Sequence, residues 1–155
     1  MSVRKFLIVV DDSPEFAAAL GYACRRAKST GGLVAMLRVL QQPEFEHWSG
    51  VREEIEREQR AEAEALLHKL GAEVEARTGR KAEFLIEPGD TVAAIKAVVL
   101  ADPEIKILVL AAATGGRGPG PLVSSIAKEG VGFGRKLPVT VVPGDLTEEE
   151  VEALG

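Results

Sequence analysis

The 155 residues fit one domain, 46% of them hydrophobic and 28% charged, with a formal net charge of −5. That balance argues against a nucleic-acid binder, which needs a basic face to track phosphates. The single cysteine, Cys24, excludes an internal disulfide, and no run approaches the roughly 20 apolar residues of a membrane span.

Phe6 to Val10 is an unbroken, largely branched run, the pattern of a strand buried on both faces. It is too short for a secretory h-region of about 7–15 residues, which points to a cytoplasmic protein. Asp11-Asp12-Ser13-Pro14 stops the strand; Ser13 is placed to cap the next helix, with Pro14 in its first turn. Ala17, Leu20, Ala23, Cys24 and Ala27 then repeat at helical spacing, with Cys24 as a small buried hydrophobe, and Gly31-Gly32 ends the helix. Leu33 to Leu40 reads as a second strand. A loop from Gln41 to Gly50 holds Pro43, His47 and Trp48.

A long charged helix follows from about Val51 to Arg77, its inner stripe made of Ile55, Leu66, Leu67, Leu70 and Val74, with His68 on its solvated face. Ala82 to Ile86 is a third strand. Pro88-Gly89-Asp90 turns the chain, and Asp90 or Thr91 caps a helix to about Leu100. Ile105 to Ala112 is a fourth strand, Gly115 to Gly120 a glycine-rich loop, Pro121 to Lys128 a short helix and Val139 to Val142 a last strand. Residues 143–155 form an acidic tail in which Thr147 with Glu150 fits a capping box. There is no internal repeat or linker, so 1–155 reads as a single domain.

Strands alternating with helices imply a parallel sheet with right-handed crossovers. In such sheets a ligand lies outside the carboxyl ends of the strands, where the strand order reverses. Two segments qualify. Asp11-Asp12-Ser13 follows the first strand; Asp11 suits ribose hydroxyls or Mg²⁺, and Asp12 suits a helix start. Thr114 to Gly120 follows the fourth strand. Its glycines let backbone approach a phosphate, the next helix directs N–H groups at an anion, and Arg117, Ser124 and Ser125 add charge and hydroxyls. His47 and His68 make no metal cluster, and no nucleophile, base and orienting group come together.

Val9-Val10-Asp11-Asp12-Ser13, Glu87-Pro88-Gly89-Asp90 before a helix, the Gly115-x-x-Gly118 loop and the closing Pro138-Val139-Thr140-Val141-Val142 occur in an order that resembles the universal stress protein domain over almost the whole chain. The resemblance implies a three-layer α/β/α fold with five parallel strands in order 3-2-1-4-5. It implies a stress-response module that binds ATP in many members and pairs into homodimers through the last strand, here Val139 to Val142. Carried over by position, Asp11 meets the ribose or a Mg²⁺ ion, Val39 lines the adenine pocket, and Thr114, Gly115, Gly118, Ser124 and Ser125 belong to the phosphate end.

The chain departs from that pattern. ATP-binding members show a Gly-Ser or Gly-Thr pair after nine intervening residues beyond the second loop glycine, where this chain has Lys128-Glu129; the best local match is Ser124-Ser125. Pro119 and Pro121 carry no N–H, and Asp12 stands where the family often has glycine. An empty-crevice dimerisation module therefore stays open as an alternative. The opening Ile8 to Pro14 also reads like a response-regulator receiver. A receiver needs an acceptor aspartate ending its third strand, where this chain has Arg52-Glu53-Glu54-Ile55-Glu56, and a lysine directly before a late proline, where it has Lys136-Leu137-Pro138. The Ser-Gly-Gly-x-Asp-Ser loop of ATP-splitting ligases is absent after strand one.

Overall fold

A computed structural model describes residues 3–41, 49–116, 118–129 and 135–154. Among these residues the elements alternate as β1 (Lys5–Val9), α1 (Phe16–Thr30), β2 (Leu33–Leu40), α2 (Ser49–Thr78), β3 (Glu83–Pro88), α3 (Thr91–Ala101), β4 (Ile105–Ala112), α4 (Pro121–Glu129), β5 (Val139–Pro143) and α5 (Glu148–Leu154). The strands form one parallel sheet in the order β3-β2-β1-β4-β5. This is the expected order, and it differs from the 2-1-3-4-5 order of receiver domains.

Two-residue alternation along the central strands builds two cores. Phe6, Ile8 and Val10 join Leu20, Cys24 and Leu67 on the α1 and α2 side. Leu7, Val9 and Leu37 join Ile95, Val99 and Ile126 on the α3 and α4 side. Both faces of β1 are therefore dry, which is why its sequence shows no polar alternation. Alanines 18, 19, 23 and 27 on α1 keep the helix close to the sheet.

The strand begins one residue earlier than its apolar run, at Lys5, whose backbone pairs with Leu33 and Ile105. Its ammonium lies 2.6 Å from both Glu83 and Asp102. Burial alone lowers such an amine, but the hydrogen bonds and charges of Asp102 and Glu83 outweigh it and hold Lys5 above the usual lysine range.

Helix α1 corrects the reading of Ser13 as its cap. The helix starts at Phe16, and Glu15 occupies the N-cap position without a side-chain bond. The Ser13 hydroxyl donates to Asp11 instead, while Pro14 sits in the turn closed by Phe16 N–H and the Ser13 carbonyl. Helix α2 is longer than its stripe suggested. Ala63, Leu67 and Val74 are buried, but along 50–62 only Ile55 and Gln59 are even half-buried. That first half stands clear of the sheet. Further along, Gly71 lets α2 pass against β3, because a Cβ there would collide with the Phe84 ring. His68 is exposed yet meets that ring edge-on, centroids 5.4 Å apart. Pro88 closes β3 instead of opening the turn, a position tolerated because β3 is an edge strand. Asp90 caps α3, its carboxylate accepting from Ala93 N–H at 3.0 Å. Pro43, His47 and Trp48 lie outside the described residues.

The acidic tail folds onto the domain. The Thr147–Glu150 capping box forms, α5 buries Val151, and Arg77 and Arg25 pair with Glu148 and Glu152. Among the described residues no helix is long and apolar enough to cross a membrane.

Candidate functional site

The two central strands end side by side. Ile8 stands opposite Val109, so the turns after β1 and β4 leave the sheet next to each other, where the strand order reverses. Asp11 is shaped by its own turn: one carboxylate oxygen accepts from Ser13 N–H at 3.0 Å and from the Ser13 hydroxyl at 2.6 Å. This is the local bond that aspartate offers in place of a helix cap.

Two cavities meet at Val9 and Asp11. The larger, about 630 Å³, is walled by Arg38, Val39 and Gln41 from the end of β2, Gln59 and Glu62 from α2, and Thr91 from the start of α3. The smaller, about 160 Å³, runs toward Phe16, Leu110, Pro119, Gly120 and Leu122. A cavity of 630 Å³ lies within the roughly 300–1,000 Å³ of ordinary ligand pockets. A further cavity, about 720 Å³, lies between α1, α2 and α5.

Asp11 and Val39 thus line the same cavity. Thr114, Gly115 and Gly118 lie on the exposed glycine loop, Ser124 is exposed and Ser125 half-buried on α4, and none of these five lines either cavity. The loop folds on itself: Ala113 N–H donates to the Pro119 carbonyl at 2.9 Å, and Ser124 N–H to that of Gly120 at 3.0 Å. Gly115, Gly116, Gly118 and Gly120 all have positive φ, between 81° and 113°, so the turn itself requires them. Arg117 lies outside the described residues.

Arg38 was not anticipated. Its Nη1 donates to the Val10 carbonyl at 3.0 Å and its Nη2 lies 3.7 Å from the exposed Asp12, which stands ahead of the helix start at Phe16. The visible signal was a lone charge in the apolar run Leu33 to Leu40. Gln59, Glu62 and Thr91 were also missed; within a charged helix and a helix start they look like solvated residues. For Mg²⁺, Asp11 offers one carboxylate beside an Asp12 already paired with Arg38. Among the described residues no group of three His, Cys, Asp or Glu is placed to hold a metal, so an ion here needs oxygens from a ligand.

A family model described as the universal stress protein family matches residues 2–143. Solved structures share the fold. Universal stress protein UspA from Lactobacillus plantarum is 19% identical with a TM-score of 0.73, covering 92% of this chain and 99% of its own. A universal stress protein from Archaeoglobus fulgidus is 15% identical with a TM-score of 0.65, covering 92% and 95%. A universal stress protein in complex with cAMP is 15% identical with a TM-score of 0.62, covering 94% and 100%. No curated protein matches the chain by sequence.

Proposed function

The chain belongs to the universal stress protein family, and from that premise we propose that it is a cytoplasmic regulatory module of the stress response that binds an adenine nucleotide at the ends of β1, β2 and β4 and works as a homodimer. The observation that carries this reading is the cavity of about 630 Å³ in which Asp11 and Val39 share a wall at the reversal of strand order. Val39 offers an apolar contact for a base, Asp11 an acceptor for ribose hydroxyls, and the small cavity toward Gly120 a path to the start of α4, where backbone N–H groups favour an anion. The related protein solved with cAMP supports an adenine nucleotide as the ligand class. We assign the chain no hydrolytic step of its own; a Mg²⁺ ion would arrive with the nucleotide, bound by its phosphates and Asp11.

The dimer rests on β5, an edge strand with Val141 45% exposed and one row of backbone groups unpaired within the sheet. Calorimetry with ATP and Mg²⁺, alongside AMP and cAMP, tests the ligand. Saturable binding that Asp11→Ala weakens at least tenfold supports the reading, and no heat with any of the three ends it. Mass spectrometry of small molecules released from purified protein is an independent check.

The self-closed loop favours a second reading. With Ala113 N–H spent on Pro119, and prolines at 119 and 121, the phosphate end offers fewer donors than a glycine count suggests. A dimeric module without nucleotide would be silent in calorimetry yet dimeric in light scattering.

A further inference from the structure

A sizeable cavity also lies away from the strand ends. It is a groove of about 720 Å³ between α1, α2 and α5. Leu20, Cys24, Leu70 and Val151 give it an apolar floor. Gly21 opens it: with no side chain, this position leaves a notch in which a Cβ would lie 3.6 Å from Arg77 Nη1 and 3.9 Å from Val151 Cγ2. Its third wall, Leu146, Glu148, Val151 and Glu152, falls beyond residues 2–143 that match the family.

The charges on its rim are unevenly satisfied. Glu73 and Glu148 both converge on Arg77, at 2.9 and 2.8 Å, so those two carboxylates share one cation. At the other end Arg25 and Lys28, one helical turn apart, face a single carboxylate, Glu152, 3.3 Å from Arg25 Nη1 and itself 71% exposed. Arg25 Nε is sequestered from solvent with no hydrogen-bond partner, and among the described residues no carboxylate pairs with Lys28. A buried donor without an acceptor is uncommon in a folded protein. A guanidinium with an unspent Nε is suited to take a carboxylate in the two-pronged manner that Arg favours.

We propose that this groove is a second binding site, for an organic anion with an apolar body, such as a medium-chain carboxylate. The anionic group pairs with Arg25 and Lys28 after Arg25 turns from the exposed Glu152, and the apolar body lies along Leu20, Cys24, Leu70 and Val151. The site is separate from the nucleotide crevice and does not rest on it, although Phe16 lines both the groove and the smaller cavity near Asp11.

Decanoate tests it by calorimetry, with anilinonaphthalene sulfonate fluorescence as a displacement readout. The expected results are saturable decanoate binding, at least tenfold weaker binding of decanol, and no displacement of the dye by ATP with Mg²⁺. Arg25→Gln with Lys28→Gln lowers decanoate affinity at least tenfold, and Gly21→Leu, which fills the notch, abolishes binding; thermal melts establish that both variants fold. If Gly21→Leu does not fold, the charge variant decides alone. Absence of decanoate binding, equal binding to the folded variants, or displacement by ATP would overturn the proposal.

Discussion

Arg38 ties the end of β1 to β2: its Nη1 holds the Val10 carbonyl at 3.0 Å, just where the chain leaves the sheet for Asp11. A backbone pair, Val10 N–H to the Leu37 carbonyl at 2.8 Å, reinforces the same point from the other side. The turn that presents Asp11 is thus held by a side chain as well as by the sheet. Arg38→Gln leaves that carbonyl without its donor and is expected to cost about 1 kcal/mol, read by urea unfolding. The exposed contact with Asp12 adds little. If Asp11 binds ribose, the same substitution weakens nucleotide binding by more than it lowers stability, whereas Asp12→Asn alone does not.

The glycines at 21 and 144 make opposite predictions. Gly144 is wedged where a Cβ would collide with the Ala112 carbonyl and the Glu15 side chain. Gly144→Ala is expected to destabilise by about 2 kcal/mol, since the nearest obstacle is backbone. Gly21 lies inside α1 with only ordinary contacts awaiting a methyl group, so Gly21→Ala is expected to stabilise by about 0.5–1 kcal/mol. Paired thermal melts separate the two signs.

Lys5 is held by carboxylates from the start of β3 and the end of α3. Burial pushes the Asp102 carboxyl up, but its bond to Lys5, the Glu104 N–H and the charges of Lys5 and Arg135 outweigh that and hold it below the usual range. A depressed carboxyl contributes stability that is present at neutral pH and is lost as acid protonates it, below the ordinary aspartate pKa. Lys5→Met leaves Glu83 and Asp102 without their cation and is expected to cost about 3 kcal/mol. Urea midpoints between pH 7 and 3 should show a smaller acid loss for Asp102→Asn than for the unaltered chain.

Cys24 sets an alkaline limit. Burial pushes its thiol up from 9.0 to about 11, so the folded chain keeps a proton that the unfolded chain releases. Stability from this group is intact below pH 9 and falls as pH rises toward 11, by roughly 2–3 kcal/mol in all. Cys24→Ala should flatten that part of the profile. Thiol alkylation at pH 8 should be slow in the folded state and fast in urea.

The central strands were legible because they are buried on both faces, whereas the edge strands β3 and β5 are mostly half-buried or exposed. β2 and β4 span Leu33 to Leu40 and Ile105 to Ala112, as read from the sequence, Gly31 ends α1 with φ +71°, and Asp90 caps α3. The site was legible only in part. Asp11 follows from the end of a strand and Val39 only from the resemblance, while Ser13 had two partners within reach and sequence could not rank the Asp11 carboxylate above the helix terminus. The face of β2 that carries Arg38, and the reach of α2 over the crevice, depend on packing that periodicity alone does not encode. The docking of α5 hid for a similar reason: one buried valine, Val151, anchors a segment that otherwise reads as solvated acid.

The close approach of Gly144 to Ala112 and Glu15 fixes the direction in which the chain leaves β5. It turns back over the sheet face toward α1 and not outward past the open flank. A fluorescent reporter carried by α5 would therefore follow the packing of that helix against α1.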